Sequence, residues 1–145
     1  MDLSQTPDRD PQVQPAPRIR GDAQTALLAG YALLAFAAIG RSTYELVAKF
    51  DEAPLAYSLS TFAAVVYCVG VWGIARADKL ALRVARVSVT FELAGVLIVG
   101  TLTAIDSSAF PEGTVWTLYG RDYGWLPLIV PVLALWWLSR QHPEK

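Results

Sequence analysis

The stretch VSVTFELAGVLIVGTLTAI, residues 87–105, contains a single charged residue, Glu92. About 20 such residues cross a bilayer core as a helix. A carboxylate inside a span of this kind is costly and usually faces a protein interior or a wet cavity. Glu92 falls five residues past Val87, roughly 8 Å below the inner end at 1.5 Å per residue. At a matching depth, two earlier apolar stretches offer Tyr67 and Tyr31. Either phenol can hydrogen-bond to the carboxylate; Arg83 and Arg86 are the other groups within reach. The cluster Glu92, Tyr67 and Tyr31 is suited to a proton or cation relay, or to a structural hydrogen bond. One acid with no second membrane acid beside it makes a poor relay, so the structural bond is the expected reading.

Two further charged groups stand out. Arg41, Glu45 and Lys49 recur every four residues and share a helical face. With Asp106 and Asp122, Arg41 and Glu45 define an outer polar cluster. It would be either a site for an anionic or zwitterionic ligand or a salt-bridged helix end of small energetic value; the second is expected. Arg76, Lys79, Arg83 and Arg86 fall at intervals of three and four. They read as one basic helical stripe that sets topology and touches anionic headgroups. Docking of an acidic cytoplasmic partner is the alternative.

Other chemistries lack their residues. There is no Ser-His-Asp set, no HExxH, no phosphate-binding glycine loop and no CxxC. One cysteine, Cys68, and one histidine, His142, leave no intrachain disulfide and no multi-histidine metal site. No cofactor and no enzymatic activity are expected. A net charge of −1 gives no basic surface for a phosphate backbone, so no nucleic-acid partner is expected either.

The elements that must hold these residues follow from where charges are missing. Of 145 residues only 17% are charged. Residues 53–75 carry no charge, nor do residues 23–40, and residues 123–139 form a shorter apolar run. The expected fold is all-α: four transmembrane helices, at about 23–46, 53–75, 87–105 and 123–139, in an antiparallel bundle. Residues 1–22, with four prolines and little apolar content, read as a disordered cytoplasmic tail ahead of a transmembrane domain at 23–145. Ala35, Phe36 and Ala37 resemble a signal-peptidase site, but the first run is long enough to cross uncleaved. With both termini inside, nine Lys and Arg residues lie on the inner side and Arg41, Lys49 and Arg121 on the outer side. That bias places both termini in the cytoplasm.

The stretch AFPEGTVWTLYGRDYGWLPLIVPVLALWWLSR, residues 109–140, contains four of the five tryptophans. Trp and Tyr settle at membrane interfaces. Phe110, Trp116, Tyr119, Tyr123 and Trp125 are therefore expected as outer anchors, with Trp136 and Trp137 at the inner end. Residues 114–119 are expected as a short helix on the outer surface, stopped by Gly120. Pro131 should kink the last span. Pro127 and Pro131 should face inward with Leu128, Val132 and Leu135, leaving Ile129, Leu133 and Trp137 to lipid. Small residues mark expected helix contacts at Ala26 and Gly30, at Ser60, Ala64 and Cys68, and at Gly95 beside Ser88 and Glu92.

The patterns RVARVSVTFELAGVLIVGTLTAID and LYGRDYGWLPLIVPVLALWWLSR resemble small four-span integral membrane proteins of actinobacteria. The resemblance covers roughly residues 80–140. It implies a plasma-membrane address and carries no activity or site residue with it. Together these readings lead to an expected role as a non-enzymatic accessory or scaffold subunit of a larger membrane or cell-envelope complex. Its partners would be membrane lipids and either other membrane subunits or a second copy of itself. The alternative is a small oligomeric transporter or channel with Glu92 in a proton or cation path.

Overall fold

The computed structural model describes residues 19–141, with side chains from residue 21 onward. The expected disordered tail at 1–22 lies outside the described residues up to residue 18, as does His142; residues 19–22 belong to the first helix. Four α-helices follow one another: α1 (Ile19–Ala48), α2 (Pro54–Arg76), α3 (Lys79–Ile105) and α4 (Leu126–Ser139). A short 3-10 segment (Thr117–Tyr123) precedes α4. Among the described residues there is no strand.

Local chemistry sets the helix ends. Pro54 opens α2 in the first helical turn, where the missing N–H costs no bond. Ala77 takes a left-handed conformation (φ 53°) and its N–H reaches Gly73 O at 3.2 Å, closing α2. Asp78 then caps α3, its Oδ1 accepting from Ala81 N at 2.9 Å. The two helices are therefore separated by only two residues, 77 and 78. The expected basic stripe is split by this turn. Arg76 ends α2, whereas Lys79, Arg83 and Arg86 lie on α3.

α1, α2 and α3 are each long and apolar enough to cross a membrane. The 3-10 segment and α4 add a fourth crossing if they form one broken span, bent by 101°. α4 alone has 14 residues, about 21 Å at 1.5 Å per residue, against a hydrocarbon core of about 30 Å. The bend falls at Gly124 and Trp125, both left-handed (φ 62° and 64°). The sequence expectation put the bend at Pro131, which lies within α4.

Each helix packs on the next in sequence, and α1 also packs on α4. The interior is lined by Leu34, Ala38, Ala63, Tyr67, Val89, Val96 and Ala134, among others. Large apolar side chains point outward: Phe36 is 78% exposed and Ile105 80%. In water such a surface would be unfavourable, whereas hydrocarbon accepts it. The proline face of α4 is turned inward as expected, with Pro127 and Pro131 fully buried. Two of its neighbours are exchanged relative to the expectation. Val132 is exposed, and Trp137 is buried beside Leu138. Pro127, Pro131, Ala134 and Leu138 recur at intervals of three and four and so share one buried face, and Trp137, next to Leu138, is buried at its edge.

Candidate functional site

The polar centre of the molecule is assembled by three helices and the loop before α4. Glu92 on α3 is completely buried. Tyr31 on α1 donates its hydroxyl to Glu92 Oε2 at 2.8 Å. Tyr67 on α2 meets Tyr31 edge-on, with ring centroids 6.3 Å apart. Trp116 donates Nε1–H to Tyr67 Oη at 3.1 Å. The three candidates Glu92, Tyr31 and Tyr67 are thus brought to one place, and Trp116 joins them. Gly70 makes room: a Cβ there would come within 3.0 Å of the Tyr31 ring. Ser88, one turn before Glu92, donates to Val66 O at 3.0 Å and ties α3 to α2. Neither Arg83 nor Arg86 reaches the carboxylate. Glu92 Oε1 has no hydrogen-bond partner among the described residues.

Trp116 was expected as an interfacial anchor. It is instead 3% exposed, because α3 offers it a seat. A Cβ on Gly95 would lie 2.7 Å from the indole, and one on Gly100 would overlap the Tyr119 ring. Thr103 Oγ1 accepts from Leu118 N at 2.8 Å, and Thr101 Oγ1 meets Tyr119 Oη at 3.1 Å. These contacts fold the outer loop down onto α3. They also explain why residues 114–119 do not form the expected surface helix: Leu118, Tyr119 and Gly120 are all left-handed. Gly120 (φ 79°) has a second constraint, since Pro127 occupies the place of a Cβ at 2.5 Å. The two α3 glycines facing an aromatic-rich loop were the sequence signal for this seat.

The outer polar cluster is only partly assembled. Arg41 Nε pairs with Glu45 Oε1. Its remaining nitrogens reach Tyr123 Oη at 3.3 Å, Glu112 O at 3.1 Å and Gly113 O at 3.4 Å. The guanidinium fork thereby clamps α1 to the loop. Glu45 is only 5% exposed, and its Oε2 has no partner among the described residues. Asp106 and Asp122 are engaged elsewhere. Asp106 ends α3 and accepts from the hydroxyl and amide of Ser108, which hold its carboxyl below the usual aspartate range. Asp122 pairs with Arg121 at 3.6 Å. Lys49 binds Glu52 at 3.2 Å rather than Glu45, and that bond raises the ammonium above its ordinary value.

At the end of the bundle where α3 begins and α4 finishes, Arg86 reaches across to Leu138 O at 2.8 Å. It supplies a donor to the C-terminal turn of α4, where carbonyls lack partners. Arg76 binds Asp78 at 3.0 Å and lies over the Trp72 ring at 5.7 Å. Arg140 stacks on Trp136 at 4.0 Å. Lys79 and Arg83 are exposed. Cys68, expected at a helix contact, is exposed in the outer groove between α1 and α2. Ser60 and Ala64 on the same helix are buried. Among the described residues no three of His, Cys, Asp and Glu gather where they could hold a metal ion.

No family model matches this chain, and neither a curated protein nor a solved structure does.

Proposed function

We propose that this chain is a non-enzymatic, multi-pass subunit of the plasma membrane that serves a larger membrane or cell-envelope complex as accessory or scaffold. In this reading four spans form an antiparallel bundle with both termini in the cytoplasm. The short α1–α2 and α2–α3 connections favour antiparallel neighbours, and the Lys and Arg distribution favours cytoplasmic termini. The segment at 117–123 is the outer part of the fourth crossing. The likeness of residues 80–140 to small four-span actinobacterial membrane proteins supports the plasma membrane as the address.

One observation carries the scaffold reading. The polar side chains at the bundle centre bond to one another across segments, as in Tyr31 to Glu92 and Trp116 to Tyr67. The helix faces turned outward carry large apolar groups instead. Two grooves on that surface present mostly apolar surface: one beside Ile39, Val65 and Trp72, the other beside Phe62, Val69 and Phe91. Such furrows suit neighbouring helices or lipid chains. Purification in mild detergent tests this. Larger membrane subunits co-eluting in fixed stoichiometry support it, and a lone homo-oligomer contradicts it.

A transporter or channel role is the second reading. It is favoured by the two buried carboxyl oxygens, Glu92 Oε1 and Glu45 Oε2, which the described residues leave without partners. Groups of this kind in a membrane interior commonly mark ion or proton paths.

A further inference from the structure

Six buried side-chain polar atoms have no hydrogen-bond partner among the described residues. Five of them fall on one stripe. On α1, Ser42 and Glu45 continue the buried face of Tyr31, Leu34 and Ala38. On α2, Tyr57 and Ser60 continue the buried face of Ala64 and Tyr67. The register of the two helices is fixed by Gln24 Nε2 donating to Ile74 O at 2.8 Å and by Tyr31 lying over Gly70. In that register Ser42 comes level with Tyr57, and Ser60 lies between that level and Tyr67. Glu92 Oε1 is the fifth atom, at the bottom. From Tyr57 to Tyr67 is ten residues, about 15 Å of depth.

A buried polar atom left without a partner is costly. Five on one stripe point to a shared partner. Hydroxyl and carboxyl oxygens spaced along a stripe of small side chains (Ala38, Ala64) suit water, which typically bonds to about three polar groups at a buried site. The stripe begins at Glu45 beside Arg41, whose side chain is 26% exposed at the outer end. Below Glu92 the character changes. Leu27, Ile74, Ala85, Val89 and Leu138 are buried and apolar there, and the polar side chains Gln24 and Ser88 are bonded to backbone carbonyls.

We propose that Glu45, Ser42, Tyr57 and Ser60 line a one-sided hydrated path from the outer surface to Glu92, admitting water and protons and closed on the inner side. It rests on the four-crossing placement and on neither role proposed for the chain. Glu92 then sits at the end of an outward-facing half-channel, able to exchange its proton with the outer solution through Ser60 and Tyr57. The residues assigned to it are each at least nine-tenths buried.

Silver ion, a small aqueous thiol reagent, tests the proposal in full-length protein carrying Cys68→Ser. Cysteines are placed singly at Ser60, Ser42 and Ala85. Ala85 is as buried as Ser60 but lies in the inner half. Cells are treated with silver from outside, and thiols still free are then alkylated under denaturing conditions. The Ser60→Cys and Ser42→Cys proteins should lose most of their alkylation, and the Ala85→Cys protein should keep it. Two substitutions at different depths keep the test independent of either variant folding. Full alkylation at both Ser60→Cys and Ser42→Cys, in folded protein, overturns the path. Equal loss at Ala85→Cys overturns its closure on the inner side. Ser108→Cys serves as a placement control. If an impermeant maleimide fails to label it from outside, the membrane placement has failed rather than the path.

Discussion

Trp116 Nε1 lies 3.1 Å from Tyr67 Oη, so a residue of the outer loop bonds into the polar centre of the bundle. The indole can reach that depth only because Gly95 has no side chain. Loop and bundle are therefore one packing unit. A disturbance on α3 should be felt in the loop, and the reverse.

Gly95→Ala should place a methyl group 2.7 Å from the Trp116 ring. Overpacking of this kind typically costs about 1–3 kcal/mol. The indole should be displaced and its bond to Tyr67 lost. Tryptophan fluorescence should shift toward a more polar environment, and limited proteolysis from the outer side should cleave faster at Arg121. An unchanged spectrum and cleavage rate would mean that the loop is not seated on α3.

Thr103→Val keeps the shape of the side chain and removes the oxygen that accepts from Leu118 N. Leaving that amide without a partner should cost about 1–3 kcal/mol. The same proteolytic assay should show a looser loop, with the helices intact by circular dichroism. Cleavage at the wild-type rate would assign the left-handed turn at Leu118 to other contacts.

Glu92→Gln preserves a hydrogen-bonding group for Tyr31 and should leave the fold stable and the protein functional. Glu92→Leu should cost about 1 kcal/mol, in line with hydrogen bonds inside membranes. Unfolding in mixed micelles measures the difference. Loss of function in the Gln variant at normal protein level would favour the proton-path reading over the structural one.

Much of this was legible in the sequence. Uncharged runs gave the helices, because a missing charge over some 20 residues is itself the signal for a span. A lone acid with tyrosines at matching depth pointed to a bond from Glu92 to Tyr31 or Tyr67, with Arg83 and Arg86 as the other candidates, and Tyr31 is the partner. The outer loop was harder to read. Interfacial preference speaks for Trp and Tyr at a headgroup boundary, and it says nothing of glycines on another helix. Trp116 and Tyr119 were placed by Gly95 and Gly100, which are distant in sequence. Glu45 was read as an exposed helix-end charge, and burial by the loop that Arg41 clamps was not visible from its spacing. Asp106 and Asp122 were misgrouped with Arg41 because local partners, Ser108 and Arg121, take precedence over a distant charge.

The turn between α2 and α3 should be sensitive to acid. Asp78 accepts from Ala81 N and from Arg76, and these donors lower its carboxyl below the ordinary aspartate value. A group lowered on folding stabilises above its unfolded value and loses that contribution as pH falls through the folded value. Protection of the Ala81 amide from hydrogen exchange should therefore decline in that acidic window. Asp78→Asn, which still caps, should abolish the pH dependence. Protection that stays constant through the window in the wild type would remove Asp78 as the cause.

The number of crossings bears most directly on the whole account, since helix length and composition permit three or four. Single cysteines at Lys79, Ser108 and Gln141, in a Cys68→Ser background, can be probed in intact cells with an impermeant maleimide. Four crossings with cytoplasmic termini require labelling at Ser108 only. Labelling at Gln141 together with Ser108 would mean that the broken segment before α4 does not cross, and labelling at Lys79 would reverse the orientation.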